Sequence, residues 1–309
     1  MLHVQVVREL FTAGAGGPAD TVPLSAASGL VWAGRRLFVV ADDDNHLGVF
    51  DQANLLPGRT FPLLDGLLPQ VHEARKAAKP DFESLLQLPP SARYPGGALL
   101  ALGSGSRPTR QRAALVRFDA LDATVGLQGP ARVLDLAPLY EPLRATIADL
   151  NIEGAFVSSD RLCLLQRGHA AGGINACISL AWPEAQAWFE AAGSAPVPHP
   201  ISITPFDLGT IDGVPLSFTD GAALPGGRWL FSAAAENTAD SYQDGACAGS
   251  AIGIVGVDGS IEAVHALSLT CKVEGIAAQA SGERLELLMV TDADNRRRPA
   301  RLLSASMRV

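Results

Sequence analysis

Five short apolar segments of the chain begin with a polar residue that could bind a ligand or exchange a proton. The segments are ASGLVWAG, DFESLLQL, NIEGAFVS, FTDGAALP and KVEGIAAQ, and their polar residues are Ser28, Glu83, Glu153, Asp220 and Glu274. A carboxylate that leaves water must be protonated, hydrogen-bonded or bound to a cation. We call these five residues the anchors, because each stands near the start of a predicted strand.

The anchors offer only oxygen atoms as ligands, with no His or Cys among them. Ca²⁺ is a hard cation that takes about six to eight oxygen ligands, so the anchors predict a Ca²⁺ site. The alternative is that the carboxylates only accept hydrogen bonds from backbone amides and hold neighbouring strands together.

A second group of polar residues lies in five loops: ADDDNHLG, GSGSRPTRQR, QRGHAAGGIN, AAENTADSYQDG and TDADNRRR. The residues that we predict to be catalytic are Asp42, Asp44, Arg107, Arg167 and His169. Those that we predict to bind substrate are Asn45, Arg110, Gln166, Glu236, Asn237, Asp292 and Asn295, with Tyr242 in the same loop as Glu236. Each residue alone is typical of an ordinary surface loop. Acids and arginines gathered around a cation, however, indicate a site for an anionic substrate.

The spacing of the anchors predicts the fold that brings them together. Successive anchors are 54 to 70 residues apart, and each is followed by strand-like runs separated by turn residues. This pattern predicts an all-β, five-bladed β-propeller with four antiparallel strands per blade, in which the N-terminal run HVQVVREL closes the last blade. Six blades are the alternative. The predicted single domain, 1–309, divides into blades at 21–80, 81–150, 151–210, 211–272, and 273–309 with 1–20.

The propeller would place the anchors and the polar loops at one end of its central channel. The innermost strand of each blade begins at that end, and the loop between the second and third strands returns to it. Three further segments, 67–78, 138–150 and 182–193, are predicted to be helices on the rim.

Composition excludes several other classes of function. The net charge of −8 and the pI of about 5.2 disfavour general binding to nucleic acids or anionic membranes. The N-terminal segment MLHVQVVRELF lacks the pattern of a secretion signal, and no apolar run reaches the ~18 residues of a membrane span. We therefore expect a cytoplasmic protein. Its four cysteines have neither zinc-site spacing nor a disulfide framework.

The anchors and the first repeat resemble the calcium-activated nucleotidases, which are apyrases with a five-bladed propeller. SGLVW and LFVVADDDNHLGVFD are similar to the first blade of that family, and KVEGIAA is similar to its last anchor segment. The resemblance implies that the anchors surround a Ca²⁺ ion, that Asp42 to Asp44 lie near the attacking water and that Arg167 lies near phosphate. The Glu-Gly strands with Asp-rich turns also resemble the esterase-like phytase and gluconolactonase-type propellers, which are metal-dependent as well.

The leading functional hypothesis is a Ca²⁺-dependent hydrolase of a small phosphorylated molecule. Asp42 or Asp44 would position or deprotonate water, and arginines of the loops would stabilise the charge on phosphate. A glycosidase is a second hypothesis, which the low aromatic content of 6% disfavours. The third is a non-catalytic propeller that binds a ligand or a protein and holds a structural cation.

Overall fold

The computed structural model describes residues 1–14, 16–118, 126–169, 172–237 and 246–308. The chain starts with strand β1 (Gln5–Glu9) and a hairpin of β2 (Phe11–Gly14) and β3 (Gly17–Pro23). Five antiparallel sheets then follow one another along the chain. Their innermost strands contact one another in a closed ring, so the fold is a five-bladed β-propeller. The prediction of five blades is confirmed, and the alternative of six is wrong.

Each blade consists of consecutive strands that run in order from the channel outward, except where an extra strand lies on the inner edge. Blade 1 is β4 (Ala27–Ala33), β5 (Arg36–Ala41), β6 (His46–Asp51) and β7 (Arg59–Pro62), and blade 2 is β8 (Phe82–Leu88), β9 (Ala98–Gly103), β10 (Arg112–Phe118) and β11 (Leu127–Asp135). Blade 3 is β12 (Ile152–Ser158), β13 (Arg161–Gln166), β14 (Asn175–Ala181) and β15 (Pro200–Phe206). Blade 4 is a short extra strand β16 (Thr210–Ile211), then β17 (Val214–Ala223), β18 (Trp229–Asn237), β19 (Ala246–Val255) and β20 (Ile261–Ala266). Blade 5 is β21 (Lys272–Ser281), β22 (Arg284–Asp292) and β23 (Arg301–Arg308), with β1 outside β23.

The N-terminal strand closes the ring, as the sequence predicts. Strand β1 pairs antiparallel with β23, and Gln5 lies opposite Ser304. It therefore supplies the fourth strand of blade 5, and the two ends of the described chain lie in one sheet.

The core lies between the blades rather than inside one sheet. Five clusters of buried apolar side chains each join two neighbouring blades, and together they run around the whole ring. Middle strands such as β5 (RLFVVA) are buried on both faces because a blade packs on each side. Outermost strands such as β7 are largely exposed.

The innermost strands share a β-bulge near their first residues. The pairing register shifts at Ser28 in β4, Glu83 in β8, Glu153 in β12 and Glu274 in β21. A bulge inserts one unpaired residue and can redirect its side chain. In these four blades the anchor is that residue, so the repeat seen in the sequence has a structural cause.

Small residues after the anchors allow the innermost strands to approach closely. A Cβ atom on Gly154 would lie 2.8 Å from Cα of Asp220, and one on Gly275 would lie 2.9 Å from the backbone nitrogen of Leu30. Both distances are too short for a Cβ atom, so any other residue at these positions would force the neighbouring strands apart.

Within the described residues, three α-helices connect the strands. Helix α1 (His72–Ala78) precedes β8, and α2 (Ala137–Arg144) precedes β12, so both lie at the end of the channel where the innermost strands begin. Helix α3 (Trp182–Glu190) joins β14 to β15 at the opposite end. All three are shorter than predicted, and the hairpin of β2 and β3 was not foreseen. Within the described part of the chain, helices are too short to cross a membrane.

Candidate functional site at the channel mouth

A cavity of about 150 Å³ lies where the innermost strands begin. We call it the mouth cavity. Among the described residues, eight acidic and seven basic side chains line it, and none of its lining residues is aromatic. Such a wall suits a polar or charged ligand, and it offers no ring on which a sugar could stack.

One group of charged side chains surrounds Lys79, which lies just before strand β8. We call Asp42, Lys79, Asp81, Glu83 and Arg110 the Lys79 cluster. The Lys79 ammonium pairs with Asp42 and lies 2.8 Å from Oδ1 of Asp81. The Arg110 guanidinium donates to Oδ2 of Asp81 over 2.9 Å. Two cations therefore neutralise Asp42 and Asp81.

Glu83 is the exception in this cluster. No hydrogen bond or salt bridge joins its carboxylate to another described residue. Burial raises the pKa of Glu83 well above its usual value, and the charges of Glu153 and Asp81 raise it further. Burial also raises the pKa of Asp42 to about 6, against the effect of Lys79. Among the described residues, Glu83 is thus the carboxyl group of the Lys79 cluster that lacks a salt bridge, beside two that are paired.

Asp42, Asp81 and Glu83 also have the geometry of a metal site. One carboxylate oxygen from each lies within 4.8 Å of the other two. All three donors are oxygens, which suits a hard cation such as Ca²⁺. Among the described residues, this is the one group of three or more acids, histidines or cysteines that meets that distance.

A second group of charged side chains surrounds Arg167 on blade 3. We call Glu153, Arg167, Glu236, Lys272 and Glu274 the Arg167 cluster. Arg167 pairs with Glu236 and lies 3.2 Å from Oε2 of Glu153 and 3.9 Å from Oε1 of Glu274. The Lys272 ammonium lies 2.9 Å from Oε1 of Glu274 and 3.4 Å from Oε1 of Glu236. Every carboxylate of this cluster has a cationic partner.

The cluster joins three blades through side chains that are almost completely buried. Burial raises the pKa of Glu274 to about 7, although Lys272 and Arg167 act in the opposite direction. Burial disfavours the charged form of Arg167, but Glu153, Glu274 and Glu236 raise its pKa. Asn151 adds a further hydrogen bond of 2.6 Å to Oε1 of Glu153.

The anchors of blades 1 and 4 contact backbone instead of other charges. The Ser28 hydroxyl donates to the carbonyl oxygen of Phe82 in blade 2. Asp220 accepts hydrogen bonds from the amides of Gly221 over 2.8 Å and Ile276 over 2.9 Å. Both contacts match the alternative in which an anchor holds neighbouring strands together.

Asp220, the predicted anchor of blade 4, differs from the other anchors because it lies one residue after the bulge of its strand. The bulge in β17 falls at Thr219, between Phe218 and Asp220, so Thr219 is the counterpart of the other anchors. Asp220 takes the next position, where blades 1, 3 and 5 have glycine. Its carboxylate consequently lies against the neighbouring strand and does not line the mouth cavity.

The predicted site residues divide into two groups. Those that line the mouth cavity are Ser28, Asp42, Glu83, Arg110, Glu153, Arg167, Glu274, Asp292 and Asn295. Burial raises the pKa of Asp292 well above its usual value. Those that do not line it are Asp44, Asn45, Arg107, Gln166, His169, Asp220, Glu236 and Asn237.

Several residues of the second group have structural contacts. The Gln166 side chain is buried and binds the backbone of Asn151, Asp149 and Arg167. Asn45 is also buried and donates to the carbonyl oxygen of Gly66 over 3.1 Å. Neither side chain is free to bind a substrate in this arrangement.

The others lie outside the mouth cavity for different reasons. Asp44 pairs with His46 over 2.8 Å, and His169 lies 3.5 Å from Asp149. Arg107 and Asn237 are exposed. Tyr242 lies outside the described residues.

Sequence reasoning missed Lys79, Asp81, Asn151 and Lys272, all of which line the mouth cavity. A signal was present, because Asp81, Asn151 and Lys272 each stand two residues before an anchor. All three are polar residues at the mouth end of an innermost strand. A polar residue at that spacing therefore indicates a partner for the anchor.

The protein is thus a five-bladed β-propeller with a mixed-charge cavity at one mouth of its channel. The particular family follows from the sequence, because residues 23–307 match the family of unknown function DUF6929. The chain belongs to that family. No curated protein matches the chain.

Solved structures with a similar fold are distant. A Bombyx mori GH32 β-fructofuranosidase is 11% identical with a TM-score of 0.48, and the match covers 91% of this chain and 61% of that one. A luciferin-regenerating enzyme is 9% identical with a TM-score of 0.47 over 98% of this chain and 94% of that one. Hydrazine synthase of Kuenenia stuttgartiensis is 8% identical with a TM-score of 0.40 over 88% of this chain and 57% of that one. This chain thus spans less than two thirds of the fructofuranosidase and hydrazine synthase chains.

Proposed function

We propose that the protein hydrolyses a small phosphorylated molecule in the mouth cavity, with a Ca²⁺ ion held by Asp42, Asp81 and Glu83. One observation carries the proposal: these three oxygen donors lie within 4.8 Å of one another in a cavity that basic side chains also line. A hard cation and an anionic group would therefore meet in one enclosed space.

The charges of the Lys79 cluster support a divalent ion. With all groups ionised, its three carboxylates and two cations leave one negative charge uncompensated. A divalent ion in place of Lys79 would balance the three carboxylates together with Arg110, and its own positive charge would attract a phosphate oxygen. It would take the place of the Lys79 ammonium beside Asp42 and Asp81, and it would favour the ionised form of Glu83.

The five anchors are a less suitable donor set for a shared ion. Ser28 and Asp220 are occupied by backbone groups. Glu153 and Glu274 already have Arg167 and Lys272 as partners. The proposed Ca²⁺ site is therefore the Lys79 cluster and not the channel axis.

The other residues of the mouth cavity have roles that follow from their charge. Arg75, Lys76 and Arg296 line it and would bind phosphate oxygens. Hydrolysis joins the oxygen of water to phosphorus and breaks the bond from phosphorus to the leaving oxygen, which takes up a proton. Asp292 lines the same cavity and would exchange that proton. A bound Ca²⁺ ion would polarise a phosphoryl oxygen.

A screen for hydrolysis of nucleoside diphosphates, sugar phosphates and phytate, with Ca²⁺ and with a chelator, tests this proposal. We expect Ca²⁺-dependent turnover that falls by about 100-fold or more in Glu83→Gln and in Asp292→Asn. The matched controls are Glu73→Gln, on the exposed face of α1, and Asp258→Asn, in an exposed turn. If Glu83→Gln and Asp292→Asn keep the rate of the parent protein, as the two controls should, the proposal is wrong. It is also wrong if no substrate is hydrolysed.

A non-catalytic propeller that binds a ligand is the second candidate. The observation that favours it is that the Arg167 cluster and Asp220 connect blades and leave no carboxylate of theirs without a partner. On this alternative, Ca²⁺ would raise the melting temperature while every substrate in the screen stays intact.

A further inference from the structure

A second cavity adjoins the mouth cavity. Its volume is about 230 Å³, and it lies between blade 1 and the hairpin of β2 and β3. We call it the side cavity. Asp43, Arg75 and Arg296 line both cavities and so form the wall between them.

That wall is a pair of salt bridges on one carboxylate. Oδ2 of Asp43 lies 3.3 Å from Nε of Arg75 and 3.2 Å from Nε of Arg296. The Arg75 side chain is 10% exposed, whereas that of Arg296 is 42% exposed. Arg296 therefore forms the solvent-facing side of this wall, and Arg75 forms its buried side. Two guanidinium groups on one carboxylate are also a ready partner for an incoming phosphate.

The two cavities differ in chemistry. Val22, Pro23 and Leu24 give the side cavity one apolar wall, and Thr12, Thr60, Asp44 and His46 add polar groups beside the shared charged wall. The mouth cavity, in contrast, is lined largely by charged side chains. An organic group can therefore contact Val22, Pro23 and Leu24 in the side cavity, whereas the mouth cavity has only Ala26 and Ala27 as apolar lining.

Their volumes point to a single ligand that occupies both. Cavities that enclose small molecules usually measure about 300–1,000 Å³. The mouth cavity, at about 150 Å³, is below that range, but the two together reach it.

We propose that the side cavity binds the organic group of a phosphate ester whose phosphate lies in the mouth cavity against Arg75 and Arg296. This inference rests on the proposed function and narrows its substrate class. The ligand is a phosphate ester of a compact, largely apolar group, and inorganic phosphate or polyphosphate fills only half of the site. The phosphate replaces Asp43 as the partner of the two guanidinium groups.

Two phosphonates test this without any turnover. Methylphosphonate fits the mouth cavity alone, whereas phenylphosphonate needs the side cavity for its ring. By calorimetry we expect phenylphosphonate to bind at least about tenfold more tightly to the unmodified protein, because its ring leaves water. Equal affinities for the two would overturn the proposal.

Thr60→Trp is designed to fill the side cavity. Thr60 lies exposed on the outermost strand of blade 1, so the larger side chain need not disturb the core. We expect the ratio of the two affinities to fall to about one in this variant. Ser202→Trp is the matched control, because Ser202 is exposed on the outermost strand of blade 3 and lines neither cavity. A ratio that Thr60→Trp leaves unchanged would overturn the proposal.

Arg296→Gln examines the shared wall, with the adjacent Arg297→Gln as control, because Arg297 lines neither cavity. We expect Arg296→Gln to weaken both phosphonates by a similar factor, of about tenfold, and Arg297→Gln to change neither. Loss of phenylphosphonate binding alone would contradict the position given to phosphate. Since binding is measured apart from hydrolysis, a protein that shows the expected affinities and hydrolyses nothing would contradict only the proposed function.

Discussion

The Lys79 cluster and the Arg167 cluster have the same formal composition, three carboxylates with two cations, but they are paired differently. In the Arg167 cluster, Glu153, Glu236 and Glu274 each contact Arg167, and Lys272 lies close to two of them. In the Lys79 cluster, both cations lie against Asp81 or Asp42, and Glu83 has no salt bridge among the described residues.

Two clusters with the same charge balance can therefore differ in whether a carboxylate is left to bind a further ligand. A network in which each carboxylate has a cation gains little from a further ligand. A cluster with one carboxylate left over keeps the desolvation cost of that group until a proton or a cation binds to it. The second arrangement is the one expected where a protein binds something.

Disruption of the Arg167 cluster should cost the protein the most stability. Arg167→Met leaves three buried carboxylates around an apolar side chain, and we expect the free energy of unfolding to fall by about 3–5 kcal/mol. Urea denaturation at neutral pH measures this. The control is Arg228→Met, which breaks the surface pair with Glu262 and should cost at most about 1 kcal/mol. Equal losses in the two variants would show that the Arg167 cluster does not hold the blades together.

Opposite effects are expected when one carboxylate of each cluster is neutralised. Glu153→Gln removes a buried, charge-assisted hydrogen bond from Arg167 and should lower the free energy of unfolding by about 1.5–3 kcal/mol. Glu83→Gln removes a charge that is repelled by Glu153 and Asp81, so stability should rise or change by less than about 0.5 kcal/mol. The same denaturation experiment compares them. A loss in Glu83→Gln as large as that in Glu153→Gln would remove the distinction between the clusters.

Added Ca²⁺ should discriminate between the clusters as metal sites. At ten times its dissociation constant, a ligand specific for the folded state stabilises a protein by about 1.4 kcal/mol. We expect CaCl₂ to raise the Tm of the parent protein and of Glu274→Gln alike, and to leave the Tm of Glu83→Gln unchanged. If Glu274→Gln loses the response and Glu83→Gln keeps it, the ion binds on the channel axis and not in the Lys79 cluster.

The smallest effect is expected at an ion pair outside both clusters, between His46 and Asp44. The hydrogen bond that the His46 ring donates to Asp44 raises the pKa of His46. A raised pKa means that the folded state binds the proton more tightly, so this stabilisation is complete below about pH 6.5 and is lost as the pH rises through the pKa of the folded protein. With side-chain exposures of 35% and 47%, the pair should contribute only about 0.5 kcal/mol. Denaturation of His46→Gln at about pH 5.5 and pH 8.5 should show a lower free energy of unfolding at the lower pH only. Arg75 and Arg296 line the same cavity as His46, but both stay charged at the two pH values. A larger loss at the higher pH would contradict this sign.

Much of the fold could be predicted because each blade has a recognisable short sequence pattern at its start. Each blade restarts with a polar residue, a small residue and an apolar strand, and glycines such as Gly154 are required by the spacing between neighbouring strands. The pairing of β1 with β23 could also be predicted, because the last repeat has too few strands.

The site was harder to predict because its contacts connect different blades. Lys79 and Lys272 resemble ordinary charged residues in the sequence, and only the closed ring brings them to the acids of the mouth cavity. Asp220 shows the same limit, since a bulge at Thr219 shifts the residue by one position in a segment that otherwise matches the repeat. Local pattern gives the order of the strands, whereas the position of a bulge depends on how each strand meets its neighbour.

The closure of the ring by β1 sets the order of events during synthesis. Ribosomes add about 5–20 residues per second, so Gln5–Glu9 emerge tens of seconds before Arg301–Arg308, with which they pair. Blades 1 to 4 can form while translation continues, but the last sheet must wait. Until then, the unpaired edge of the nascent β1 is open to any other strand. When two chains are made close together, β1 of one can close the ring of the other, and exchange of this strand is the expected route to misassembly.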